Sequence, residues 1–304
     1  MPVSAPRKTW FLRAALLALA LVLTLAALAT HKMRSMGFWR SPVYETVPPE
    51  LPELTRPAIL VFSKTNSFIH KEAIPAAETL FQQLGEKNGW SVYVTLNGAV
   101  HNKQDLARFD AIIWNNVTGD VLTTAQQTAM REWIHNGGGW VGLHGAGDSS
   151  SDWDWYIDSL VGARFTAHPY PEQFQPARLY PESNDPIVAH LPSPWQRTDE
   201  WYSFESSPRL QGYRVLTTID ENTYIPDFRG RDLRMGKDHP LIWKHCPGQG
   251  RAFYSALGHT ADSYSEPAYI TLLEQALVWA SGLGGSSCTT APPADAREAA
   301  DRYR

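Results

Sequence analysis

Two histidines stand where glycines let the backbone approach a ligand closely: His144 in Gly142-Leu-His144-Gly-Ala-Gly-Asp148, and His259 in Leu257-Gly-His259-Thr. The apolar run Trp140–Leu143 reads as a buried strand, and the glycine-rich turn after it has the pattern of a nucleophile elbow. That motif calls for Ser or Cys at its tip. An imidazole there points instead to proton transfer, because neutral imidazole titrates near neutral pH. His144 and His259 are therefore the candidate acid–base pair. The cluster Thr198-Asp199-Glu200-Trp201-Tyr202 adds carboxylates and rings. Asp199 or Glu200 would orient an imidazole or grip hydroxyls, and Trp201 and Tyr202 would stack on a sugar ring. Adjacent side chains point to opposite sides, so one of the two carboxylates is expected to face the pocket.

Other polar residues fall at the ends of predicted strands, where ligands bind in open parallel sheets. Lys64 and His70 follow the first strand, Asn116 and Asp120 the third, and Asp148 closes the elbow. His239, in Asp238-His-Pro, opens a late strand. These residues, with Trp201 and Tyr202, are the predicted substrate-binding set. Glu266, at the start of the last helix, is an alternative partner for His259. His70, His144, His168, His239 and His259 with Asp199 or Glu200 would suit a divalent metal, but no HExxH-type spacing supports it. The expectation is no resident metal or cofactor. Gly137-x-Gly139-x-x-Gly142 formally matches a dinucleotide fingerprint, yet it lies between a helix and the next strand, the wrong context.

The elements that must carry these groups alternate. Ala58–Phe62, Ser91–Leu96, Ala111–Trp114 and Trp140–Leu143 read as strands, with amphipathic helices at Lys71–Lys87 and from the Thr123 cap to His135. Trp153–Leu160 is a predicted helix, and residues 165–210 are Pro-rich with strand-like pieces such as Gln175–Tyr180. Arg214–Ile219, Leu241–Lys244 and Arg251–Ala256 return as strands before a closing helix, Ser265–Ser281. The pattern predicts a flavodoxin-like α/β domain over 58–283, a mostly parallel sheet with helices on both faces. Residues 284–304 read as a disordered tail.

The amino terminus is of another kind. Arg7, Lys8 and Arg13 precede the apolar run Ala14–Ala29, so residues 1–13 are expected in the cytoplasm and 14–30 to form a signal anchor. Ala27-Leu28-Ala29 also satisfies the small-x-small cleavage rule, and secretion after cleavage is the alternative. Residues 31–57, with five prolines between 42 and 57, read as an extended spacer lifting an exported domain off the membrane. The net charge of −4 and the lack of a basic patch argue against nucleic acid. Twelve tryptophans and twelve tyrosines supply rings for a carbohydrate wall. Cys246 and Cys288, the only cysteines, form no CxxC pair, and their pairing is left open.

Ser63-Lys-Thr, Phe68-x-His70, Thr118-Gly-Asp120, Gly137-Gly-Gly-Trp-Val-Gly-Leu-His144, Thr198–Tyr202, Lys237-Asp-His-Pro240 and Phe253-Tyr-Ser-Ala-Leu-Gly-His259-Thr together resemble the ThuA-like (trehalose utilisation) family. The resemblance implies a class I glutamine amidotransferase-like fold without that fold's chemistry, since His144 replaces the elbow Cys and no Glu follows His259 within two residues. It also implies carbohydrate catabolism: hydrolysis or isomerisation of a small-molecule sugar or keto-sugar made by a partner sugar oxidoreductase. A non-catalytic carbohydrate-binding module and an envelope interaction domain are the competing readings.

Overall fold

The computed structural model describes residues 7–182, 184–285 and 288. Its strands are β1 Ala58–Phe62, β2 Ser91–Thr95, β3 Ala111–Asn115, β4 Gly139–Leu143, β5 Phe165–Ala167, β6 Phe174–Pro181, β7 Trp195–Glu200, β8 Ser203–Phe204, β9 Arg214–Ile219, β10 Asp227–Phe228, β11 Arg231–Asp232, β12 Pro240–His245 and β13 Arg251–Ser255. The α-helices are α1 Arg7–Ser35, α2 Ala73–Asn88, α3 Lys103–Leu106, α4 Thr124–His135 and α5 Pro267–Ala280.

Nine strands form one sheet in the order β2-β1-β3-β4-β13-β12-β9-β6-β7. The first five are parallel, and every residue of β1, β3 and β4 is buried. Such uniformly apolar strands must be covered on both faces, as βαβ crossovers require. α2 packs against β2 and β3, and α5 against β4 and β13. Thr123 caps α4 with a full capping box, Gln126 answering its backbone N–H, so this helix begins where the sequence predicts. The predicted α/β architecture is present. Its outer half, β12 to β7, is antiparallel throughout.

That outer half does not lie flat. β7 is five strands from β4, about 24 Å at the usual inter-strand spacing. Yet Glu200, at the end of β7, lies 3.1 Å from His144, just past the end of β4. β6 pairs with β9 only through Leu179–Pro181. The rest of the β6–β7 ribbon therefore swings back over the carboxyl edge of the central strands.

The segment predicted as a helix over Trp153–Leu160 is a π-helical run, Trp155–Val161, closed by Gly162 at φ 82°. β7 was not foreseen, since Pro176, Pro181 and Pro194 break the pattern around it. The spacer is also different from expectation. It is extended, but it is docked on the domain rather than holding it at a distance. Glu45 pairs with Lys64, Gln126 reaches the Glu45 carbonyl, Asn66 exchanges two bonds with Val43, and Asn97 reaches the Val47 carbonyl. At the amino end, Trp10–Ser35 is, among the described residues, the one helix long and apolar enough to cross a bilayer. It outruns the predicted 14–30 at both ends because Lys32 and Arg34 are tolerated in its last turn, where cations suit the helix dipole. Cys246 and Cys288 are joined by a disulfide. Apart from 284, 285 and 288, the predicted tail lies outside the described residues, as do residues 1–6 of the predicted amino-terminal segment.

Candidate active site: three imidazoles around one carboxylate

β4 and β13 are neighbours in the sheet, so the turns that follow them meet. His144 stands at the elbow with φ 42°, a left-handed conformation that costs of order 1 kcal/mol or more and persists only where surroundings enforce it. Tyr254 Oη donates to the His144 carbonyl at 2.8 Å, and a Cβ at Gly147 would sit 2.1 Å from that hydroxyl. Gly147 thus leaves the room that this tyrosine occupies. His144 Nδ1 lies 2.7 Å from the Ala256 carbonyl, which can only accept. The imidazole therefore carries a proton on Nδ1 and turns Nε2 toward His259 Nδ1, 2.9 Å away.

Glu200 Oε2 lies 3.1 Å from both of those nitrogens. His70, from the loop after β1, completes the group: its ring centroid is 4.9 Å from that of His144 and 4.7 Å from that of His259. One ligand nitrogen from each of the three histidines falls within 4.8 Å of the others. His70 Nδ1 is buried without a hydrogen-bond partner. Solvent reaches the cluster mainly at the His259 edge; His144 and Glu200 are almost fully covered.

Electrostatics in this pocket favour a cation. Burial would lower the His144 pKa, but the hydrogen bond and charge of Glu200, followed by Asp199 and the Ala256 carbonyl, raise it above the ordinary value. Burial would raise Glu200, and the hydrogen bonds from His144 and His259 hold it well below the carboxylate range instead. His70 is pushed well down by burial and by the neighbouring imidazoles, so it remains a neutral lone-pair donor. The Glu200 carboxylate thus favours a proton on His144. A divalent cation would compete for the same lone pairs.

Asp199 points away from the cluster, as alternation along β7 requires. Its carboxylate accepts the backbone N–H groups of Gly258 (2.8 Å), His259 (3.1 Å) and Glu200 (2.9 Å), and a bond from Arg197 (2.9 Å). It is placed as a brace for the His259 turn, and of the two candidate carboxylates it is Glu200 that faces the histidines. Glu266, the alternative partner for His259, bonds Trp195 and pairs with Arg197.

The predicted binding set is only partly brought together. Asp148 is exposed, yet close enough to His144 and Glu200 to feel both charges. Partial burial of its carboxyl acts first, Glu200 adds to that, and its pKa is pushed up to about 6 against the opposing pull of His144. Tyr202 packs under His144 with ring centroids 4.3 Å apart. Five others are elsewhere. Trp201 is fully buried in the core, because a ring of that size gains more from burial than from solvent. His239 is buried between Glu221 (2.7 Å) and the Tyr202 carbonyl (2.8 Å), where it holds the β7–β8 turn. Lys64 is taken by Glu45 of the docked spacer. Asp120 accepts the Asp152 N–H at 3.3 Å, at the rim rather than in the cluster. Asn116 lies beneath the site, with its Nδ2 on Asn115 and Tyr264.

Two residues of the site were not in the predicted set. His168 Nδ1 lies 3.3 Å from Glu200 Oε1, and Gln173 donates to the same oxygen. They fix the carboxylate so that Oε2 faces His144 and His259. Gln173 carried no sequence signal, while His168 was one of the five histidines weighed as metal ligands.

Gly145 is where the elbow packs closely against His70. A Cβ there would lie 2.9 Å from His70 Cε1 and 3.0 Å from Thr118 Cγ2. Gly145→Ala is therefore expected to displace His70 and, if the three imidazoles hold a metal, to weaken its binding about tenfold, by analogy with disturbed support of metal ligands. Titration of the apo protein with Zn²⁺ measures this; an unchanged affinity would mean that His70 contributes nothing.

A family profile described as trehalose utilisation, ThuA, matches residues 58–280. The chain belongs to the ThuA family. Among solved structures, a ThuA-like protein from Bacteroides uniformis superposes with a TM-score of 0.65 at 24% identity, covering 77% of this chain and 95% of that one. A ThuA-like protein from Parabacteroides merdae gives a TM-score of 0.56 at 18% identity, covering 77% and 92%. These likenesses show a shared fold. No curated protein matches the chain. The ThuA boundaries contain His70, His144, Glu200 and His259, so the whole cluster belongs to the family domain.

Proposed function

We propose that this ThuA protein is a metal-dependent enzyme of carbohydrate catabolism, displayed on the outer side of a membrane and acting on a keto-sugar derivative. The observation that carries the reading is the gathering of one ring nitrogen from each of His70, His144 and His259 within 4.8 Å of one another, with the buried Glu200 carboxylate 3.1 Å from His144 and His259. Neutral imidazoles with a carboxylate suit zinc or another divalent first-row ion. The unpartnered Nδ1 of His70 agrees with that donor set, since a buried nitrogen without a partner costs stability unless something binds it. His70, His144 and His259 would hold the ion, with Glu200 as a fourth ligand or close counter-charge. Such an ion would supply Lewis-acid polarisation of a sugar carbonyl.

The remaining groups divide the other tasks. His168 and Gln173 keep Glu200 oriented, and Asp199 keeps the His259 turn in place. Asp148, solvent-accessible beside the cluster, donates a proton to a leaving or enolic oxygen. Proton transfer beside a carbonyl is common to cleavage of a keto-glycoside and to isomerisation, and Asp148 serves either. A partner sugar oxidoreductase would supply the keto group. Export is supported by the apolar helix α1, with Arg7, Lys8 and Arg13 at its amino end, and by the Cys246–Cys288 disulfide, a bond that persists in oxidising compartments. An uncleaved anchor remains the preferred form.

The test is elemental analysis of the purified full chain together with turnover of 3-keto and unmodified disaccharides. About one equivalent of divalent metal and consumption of the keto-sugar are expected. Metal-free protein that binds sugars without turnover would support the binding-module reading instead.

Asp148 gives a pH signature. Its pKa near 6 keeps the proton below that pH, so kcat/KM should fall as pH rises through about 6. Asp148→Asn should lower kcat by about 100-fold and remove that limb of the profile. A limb that persists in the variant would move the acid role elsewhere.

A further inference from the structure

The carboxyl end of α1 is built into the wall of the site. The Met36 carbonyl accepts the N–H of Ile69, the residue before His70, at 2.9 Å. Gly37, at φ 100°, lies so close to the 67–69 loop that a Cβ would meet the Ser67 carbonyl oxygen at 1.9 Å. The Phe38 ring is 5.7 Å from Phe68, which in turn is 4.9 Å from His70 and 6.1 Å from His259. Beyond His259, at 4.9 Å, stands Phe174, 46% exposed. Phe38, Phe68 and Phe174 thus make a partly exposed aromatic path from the end of the apolar helix to the histidine cluster. Asn66 braces Val43 through two bonds, which denies this junction the freedom of a flexible tether.

The apolar span ends at Ser35, so the bilayer surface lies at this junction. The headgroup layer is only ~5–7 Å deep on each side. Trp39, 64% exposed, with Lys32, Arg34 and Arg40 forms the aromatic and cationic fringe that suits that layer. The carboxyl edge of the sheet then faces the membrane, and the far end of α2, with Glu86 and Lys87, faces away.

We infer that the site is held against the membrane surface and takes its sugar from a glycolipid lying in that surface. The apolar part of the lipid follows Phe38, Phe68 and Phe174, and the sugar reaches the cluster. This rests on the proposed reading of α1 as an anchor and of the cluster as a sugar site.

The full chain in vesicles of phosphatidylcholine and phosphatidylglycerol tests it, with a bimane label on Val43→Cys or on Glu86→Cys; the native cysteines are already paired. Lipids spin-labelled at the headgroup should quench position 43 at least about threefold more than position 86, given the thinness of that layer. Equal quenching overturns the orientation. Energy transfer from position 43 to acyl-labelled diglucosyl diacylglycerol should exceed transfer to acyl-labelled phosphatidylcholine at the same mole fraction, and Phe174→Ala should remove the excess. Equal transfer overturns the glycolipid. A protein that consumes a free keto-disaccharide yet shows equal transfer keeps the proposed function and loses this inference. Metal-free protein that still enriches the glycolipid does the reverse.

Discussion

His144→Ala is expected to empty the metal site and to lower kcat/KM by about three orders of magnitude, the scale of losing a group that organises charge in the transition state. The effect should be large because His144 is the ligand with the fewest alternatives. Its Nδ1 is committed to the Ala256 carbonyl and its ring rests on Tyr202, so Nε2 is presented in one direction. The left-handed backbone at 42° tolerates alanine poorly but was already strained, so the fold should survive the change. Metal content by elemental analysis, kinetics on a keto-disaccharide and a circular dichroism spectrum separate loss of metal from loss of structure. Glu200→Gln, which keeps the shape and removes the charge, should cost about 10- to 100-fold in metal affinity. Full metal content in a folded His144→Ala protein would end the metal reading.

The second large effect is on stability. Asp199→Ala should destabilise the domain by about 3–5 kcal/mol, the usual cost of removing one partner from a buried ion pair. Arg197 would lose its closest carboxylate, and the N–H groups of Gly258 and His259 would lose their acceptor. For a domain of this size that corresponds to a fall in Tm of about 10 °C. Asp199→Asn retains an acceptor oxygen and should cost less than half as much. Thermal melts of the two variants decide it, and a loss below about 1 kcal/mol for the alanine change would show that water replaces the carboxylate.

The parallel half of the sheet was legible because its signals are local. The apolar runs of β1, β3 and β4, the Thr123 cap and the glycines at the elbow each speak for themselves within a few residues. The meeting of His144 and His259 followed from strand ends alone, given the rule that ligands gather at the carboxyl edge. What failed was whatever depended on a partner far along the chain. Lys64 looked like a site cation because nothing nearby revealed that Glu45 would fold back onto it. Trp201 and His239 read as sugar contacts by residue type, but burial decides such residues and burial is a tertiary property. Alternation said that one of Asp199 and Glu200 would face the pocket. Only the pairing of β7 with β6 could say which. His168 and Gln173 belonged to the Pro-rich stretch whose strands the pattern hid.

The scatter of the cluster along the polypeptide has a bearing on how the protein is loaded. Glu200 and His259 are separated by 59 positions, and His144 and His259 by 115. His70 comes from yet another crossover, so an extended polypeptide offers no chelating pair from this set. A chain threaded across a membrane before it folds would therefore arrive empty, and would have to acquire its ion on the far side, after the last parallel strand has inserted. Ion availability in that compartment, rather than in the one where the chain is made, would then determine which element the mature protein carries.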